Sequence, residues 1–152
     1  PEGALCNCGL RGCLETIVAG PAIVRQMRTA EPEAAIQHAG DVYQAAVQGN
    51  PNAQKVVQRV SQHLSQAIQW LIMTYDVEKI VLGGGVTQSG DAFLAPILQE
   101  LACLRQQSPL AAALLPDEKV HLIPPDFNPG VWGAVNLAKQ TLLEPLSAPE
   151  KS

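Results

Sequence analysis

The sequence predicts an α/β fold: a helix-rich body with few parallel strands. Three observations carry this. Apolar residues recur three and four apart from Ala53 to Tyr75, the spacing of one helix face. Two short runs rich in branched side chains, 79–86 and 119–123, end in glycine or proline, as strands do where they meet a turn. A helix-patterned segment separates these runs and another follows, and such alternation predicts a parallel sheet with right-handed crossovers. Two strands make a poor sheet. The pattern therefore predicts a larger sheet with further strands upstream of Pro1.

The elements follow in order. Residues 1–13 are a loop rich in glycine and cysteine. Leu14, Ile17 and Val18 give a turn and a half of helix, which Gly20-Pro21 interrupts. Proline suits a first helical turn, so 21–29 is a second short helix with Val24 and Met27 inward. Residues 30–40 carry no clear pattern. Asp41 is expected as the N-cap of a helix to Gln48, with Gly49 as its stop. Asn50 caps the long helix, Pro51 opens it, and its apolar stripe runs Ala53, Val56, Val57, Val60, Leu64, Ala67, Ile68, Leu71, Ile72, Tyr75. Its Gln-rich face is expected in solvent. The run 79–86 is expected as a buried strand entering a tight loop at Gly83-Gly84-Gly85. Asp91 is expected to cap a helix carrying Phe93, Leu94, Ile97, Leu98, Leu101 and Leu104, delayed or kinked by Pro96. An irregular connection with a possible helical turn leads to the second strand. A last helix fits 130–143, with Val131, Val135, Ala138 and Leu142 on one face.

Composition excludes several classes. The chain has 152 residues, net charge −4, 47% hydrophobic and 4% aromatic residues. It is neither collagen-like nor disordered, and it lacks the bulk positive charge that binds nucleic acid. No apolar run approaches the roughly 20 residues a bilayer-spanning helix needs. No secretory leader is visible, so a reducing, cytoplasmic setting is expected. The chain opens at Pro1 rather than Met and runs straight into a dense motif, so a fragment is expected.

Three of the four cysteines crowd into Cys6-Asn7-Cys8-Gly9-Leu10-Arg11-Gly12-Cys13. A Cys6–Cys8 disulfide would close a tiny strained ring. Cys8–Cys13 and Cys6–Cys13 bridges are geometrically possible, but each leaves a neighbouring thiol unpaired. The favoured reading is a zinc knuckle, because thiolates suit tetrahedral Zn²⁺ and the glycines let the sulfurs converge. Three sulfurs leave a fourth ligand to be supplied, and His38, His63 and His121 all lack knuckle spacing. Cys103 lies in an apolar helical pattern and is expected to be a buried small hydrophobe.

The motif Cys6-x-Cys8-Gly9-x-x-Gly12-Cys13-Leu14-Glu15 resembles the signature of the ROK family of repressors, open reading frames and sugar kinases. Gly20-Pro21-Ala22-Ile23, the segment from Lys79 to Val86, and Gly130-Val131-Trp132-Gly133-Ala134 follow in the family's order, so the resemblance runs from Leu5 to about Leu142.

The resemblance implies the C-terminal lobe of an actin-like ATPase (ribonuclease H-like) fold. Residues 1–13 would form the zinc-knuckle loop, 14–144 the lobe and 145–152 a tail. Cys6, Cys8 and Cys13 would hold structural Zn²⁺, with a histidine from before the position of Pro1 as fourth ligand. Glu15 would bind sugar hydroxyls, and Gly83, Gly84 and Gly85 would close on a nucleotide. The family's phosphate loop and catalytic aspartate match nothing here, so no catalytic residue is assigned. The intact protein would be an ATP- and Mg²⁺-dependent, glucokinase-like hexose kinase, and this chain alone would be inactive. A sugar-sensing repressor is the alternative, with nucleic acid as a partner only through a further N-terminal domain. Homo-oligomerisation is expected, since a lobe cut from a larger sheet bares apolar surface.

Physical chemistry runs beside these implications. A carboxylate fixed next to a metal knuckle is a preorganised acceptor for paired hydroxyls. By itself, Glu15 would be an ordinary first-turn acid. The triple glycine is neither a Walker motif nor Gly-x-Gly-x-x-Gly, and without a ligand it would be a plain turn.

Overall fold

The computed structural model describes residues 3–124 and 126–143. The tail 145–152 and the side chain of Leu142 lie outside the described residues. The helices are α1 (Glu15–Val18), α2 (Gly20–Ala30), α3 (Ala39–Val47), α4 (Pro51–Tyr75), α5 (Asp91–Gln107), α6 (Pro109–Leu114) and α7 (Pro129–Leu143). Two strands, β1 (Ile80–Leu82) and β2 (Val120–Leu122), flank α5 and α6 in sequence.

Helix α4 is the central post, with α1, α2, α3 and α5 packed along it. Its start follows from Asn50, whose side-chain oxygen accepts the backbone N–H groups of Asn52 and Ala53 at 2.9 and 3.0 Å. Such a cap satisfies donors that have no partner inside the helix. At the far end Asp76 turns left-handed, with φ +47°. The buried stripe includes Val57, Ser61, Ser65, Ile68 and Ile72. The two serines were not foreseen, because a search for apolar spacing skips them. Leu71 and Tyr75, expected inward, are exposed together with Trp70 and Met73. The last turns of α4 bury Ile68 and Ile72 and leave these four side chains on the uncovered side.

Ile23, Met27, Val42, Val60, Ile97 and Leu101 meet in the core around α4 and are fully buried. Each such side chain contributes about 1.5–3 kcal/mol through burial. Tyr43 of α3 meets Phe93 of α5 edge-on, with ring centroids 5.8 Å apart.

Several expectations are corrected. Asp41 is not an N-cap: α3 begins at Ala39, and from its first turn Asp41 reaches back to accept the N–H groups of Gln37 and His38, each at 2.8 Å. Asp91 does not cap α5 either; Gly90 occupies that position without a side-chain bond. α5 does not start late: it runs from Asp91 to Gln107 with Pro96 inside it. The ring sits in the second turn, so it removes one backbone bond near an end already short of them. Cys103 is exposed, not buried, because it lies on the face of α5 opposite Ile97 and Leu101.

The strands pair in parallel, Ile80 with Val120, Val81 with His121 and Leu82 with Leu122. Ile80, Leu82, Val120 and Leu122 pack on the core. Val81 and His121 project from the other face and are exposed. The expectation of a strand buried on both faces therefore fails for this chain. The apolar face of α7 is also uncovered, with Val131 and Val135 exposed.

Candidate functional site

The loop before α1 is a small antiparallel knuckle. Leu5 pairs with Arg11, the Cys6 N–H donates to Leu10 O at 2.8 Å, and the Gly9 N–H donates to Cys6 O at 2.9 Å. The Gly12 N–H donates to Ala4 O at 3.0 Å, and Gly12 holds φ +74°. A Cβ on Gly3 would lie 2.7 Å from Gly12 Cα, so the ends of the loop touch backbone to backbone. Only residues without side chains permit both features.

This folding brings the thiols of Cys6, Cys8 and Cys13 together, their sulfurs all within 4.8 Å of one another. Cys8 Sγ and Cys13 Sγ are 3.5 Å apart, and all four cysteines are free. A tetrahedral zinc with Zn–S bonds of about 2.3 Å holds its sulfurs about 3.8 Å apart. The donor set fits a soft divalent ion. Among the described residues no further His, Cys, Asp or Glu joins it.

The thiols are not equivalent. The backbone N–H of Leu10, with help from the Cys13 and Cys6 thiols, lowers the pKa of Cys8. Cys13 is pushed up to about 11, chiefly because its proton is engaged by Cys8. Of the Cys8–Cys13 pair, Cys8 is the readier to ionise.

Glu15 opens α1 immediately beyond the knuckle. Its Oε2 accepts from Cys6 Sγ at 3.5 Å, and the residue is otherwise exposed. Thr16 fastens the joint, its N–H and hydroxyl both donating to Cys13 O at 2.9 and 2.7 Å. Cys6, Cys8, Cys13 and Glu15 thus form one constellation.

The triple glycine belongs to a different place. Gly84 has φ +106°, and a short 3-10 turn follows over Gly85–Ser89, pinned by Thr87 Oγ1 donating to Gly84 O at 2.7 Å. This turn forms one wall of a cleft of about 1240 Å³, whose other walls are α2 and α3. Gly85 lines the cleft; Gly83 and Gly84 do not. Arg28, Tyr43 and Gln88, which the sequence reading left aside, also line it. Arg28 is anchored by two bonds to Ile36 O, at 3.1 and 2.6 Å. Its spacing from Arg25 along α2 was a visible signal. The Tyr43 hydroxyl is buried without a hydrogen-bond partner, and burial pushes its pKa up.

The sequence profile of the ROK family matches residues 1–141. This chain belongs to the ROK family. Among curated ROK relatives, a glucokinase from Halalkalibacterium halodurans is 38% identical over 112 residues, covering 65% of this chain and 34% of the relative. An N-acetylmannosamine kinase from Yersinia pestis is 36% identical over 87 residues, covering 57% of this chain and 29% of the relative. The chain spans about a third of the length of these relatives. Among solved structures, a ROK glucokinase from Streptomyces griseus in complex with glucose and AMPPNP superposes with a TM-score of 0.67 at 27% identity. That likeness covers 92% of this chain and 48% of the glucokinase. A ROK transcriptional regulator, homologous to the E. coli MLC protein, superposes with a TM-score of 0.61 at 31% identity, covering 80% of this chain and 32% of the regulator. The fold is that of the actin-like ATPases, helix-rich with a small parallel sheet.

Proposed function

We propose that this chain is the C-terminal lobe of an ATP-dependent sugar kinase. In this reading Cys6, Cys8 and Cys13 hold zinc, Glu15 receives sugar hydroxyls, and the Gly83–Gly85 loop receives the nucleotide. The observation that carries it is the convergence of three thiols beside the Glu15 carboxylate. Bound zinc supplies a rigid anchor rather than a reacting centre. The chain's own residues do the positioning. The knuckle fixes Cys13, Thr16 is tied to Cys13, and Glu15 is thereby held as an acceptor whose ordering cost is already met. The cleft between α2, α3 and the glycine turn accommodates a nucleotide, with Mg²⁺ neutralising its phosphates. No base for the sugar hydroxyl is assigned within this chain. Asp117, for one, is paired with Arg105 at 2.7 Å.

A cytoplasmic homo-oligomer is part of the proposal, since Trp70, Tyr75, Val131 and Leu137 bare apolar surface that association would cover. The second reading, a sugar-responsive repressor, is favoured by the likeness to the ROK regulator. The test is an assay of the whole gene product with ATP, Mg²⁺ and either glucose or N-acetylmannosamine. Sugar phosphate formation that falls at least a hundredfold in Glu15→Gln, with one zinc per chain retained, is the expected result. Sugar binding without phosphate transfer, together with sugar-dependent release of DNA, would replace the kinase by the repressor.

A further inference from the structure

We propose that the groove between α2 and α4 is a binding site for a small phosphate-bearing anion, gripped by Arg25, Lys55 and Arg59. The groove encloses about 360 Å³, room for a phosphate group carrying a few carbon atoms. Arg25 and Thr29 lie four apart on α2, and Lys55 and Arg59 lie four apart on α4. Residues at that spacing share a helix face, and the two helices pack together. Three cationic side chains therefore line one concavity.

The rest of the lining supports an anion. It contains no carboxylate; the other polar residues are Gln26, Thr29 and Asn52, and the lining includes buried Val56. Glu31, the nearest acid along α2, is turned to the amides of Asn50 and Asn52 at 3.1 and 3.4 Å. Among the described residues the ion pair is Arg105 with Asp117, so none of the three groove cations is neutralised by a carboxylate. In a chain of net charge −4 with ten basic residues, an acid-free pocket with three of them is a local reversal of sign. Planar guanidinium groups match phosphate oxygens in pairs, and the lysine adds a point charge.

The groove is distinct from the nucleotide cleft. Arg25 and Thr29 border both, while Lys55 and Arg59 line the groove alone. Arg25 also donates to Thr16 O at 3.0 Å, one residue past Glu15. An anion that draws on the remaining Arg25 donors therefore bears on the joint that positions Glu15.

The proposal is tested by titrating the whole gene product with inorganic phosphate and, separately, with a hexose 6-phosphate, at ionic strength fixed with chloride. Backbone amide resonances provide the readout. Saturable shifts are expected around residues 25–30 and 52–59 and, through Arg25, at Thr16. Affinity should fall at least tenfold in Lys55→Ala/Arg59→Ala and again in Arg59→Glu, with the melting temperature in chloride unchanged. Tighter binding of the hexose 6-phosphate would assign the site to a phosphate ester; equal affinity would assign it to free phosphate. A response that chloride reproduces, that never saturates, or that survives both variants at full strength would overturn the site.

Discussion

The knuckle and the helical body are held together by different forces. In the body, Ile23, Met27, Val42, Val60, Ile97 and Leu101 are completely buried, and order follows from close packing of apolar side chains. In the knuckle, Leu5 and Leu10 are 64% and 66% exposed, and Cys6 is its buried residue. A few backbone hydrogen bonds, positive-φ glycines and three thiols hold it. A segment with so little apolar burial draws its rigidity from what its side chains bind. The Glu15 carboxylate is thus placed by the chemistry of the knuckle, while the cleft beside the glycine turn is placed by the core.

That contrast sets the expected effects on stability. Ile97→Ala should cost the body about 3 kcal/mol, read as a lower urea midpoint, while zinc content stays constant. An equal loss of zinc would show that the two regions are one cooperative unit. Asn50→Ala removes the cap of the central helix and should cost about 1 kcal/mol; a negligible change would mean the helix start is fixed by packing alone. Tyr43→Phe deletes a buried hydroxyl that lacks a partner, and should raise stability by up to about 1 kcal/mol. A clear loss would reveal a partner for that hydroxyl.

Acid should loosen one corner of the cleft. The N–H groups of His38 and Gln37, in that order, hold the Asp41 pKa below its ordinary 3.8. A lowered native pKa gives stability that is present above the unfolded value and is lost as pH falls through the native one. Amide exchange at Gln37 to Asp41 should therefore rise only below about pH 4, and Asp41→Asn should abolish the dependence. The smallest effect on the body comes from the knuckle. Chelation, or Cys8→Ser, should empty the proposed zinc site and free the amides of residues 5–12, yet leave the urea midpoint of the helices in place. A body that unfolds with the chelator would erase the distinction drawn above.

Much of this was legible because local chemistry and tertiary structure agree. Asn50-Pro51 and the stripe from Ala53 to Ile72 specify α4 almost to the residue, since cap, first-turn proline and periodicity all act locally. The crowding of Cys6, Cys8 and Cys13 gave the convergent thiols for the same reason: one intervening residue, then four that include Gly9 and Gly12, leave few alternatives. What escaped depends on distant partners. Leu71, Tyr75 and Val135 carry the right pattern for burial, but nothing among the described residues covers them. Asp41 looked like a cap because its carboxylate does cap, from inside the helix rather than before it. The cleft residues Arg28, Tyr43 and Gln88 come from three separated segments, and no single window of sequence contains them.

The two-stranded ribbon carries a last consequence. Each strand has one flank of backbone amides and carbonyls with no ladder partner among the described residues, beside an outer face presenting Val81 and His121. Such flanks are templates for any extended peptide that drifts by. Production of this segment in isolation should thus favour insoluble material, and an added lysine at position 81 should keep more of it in the supernatant.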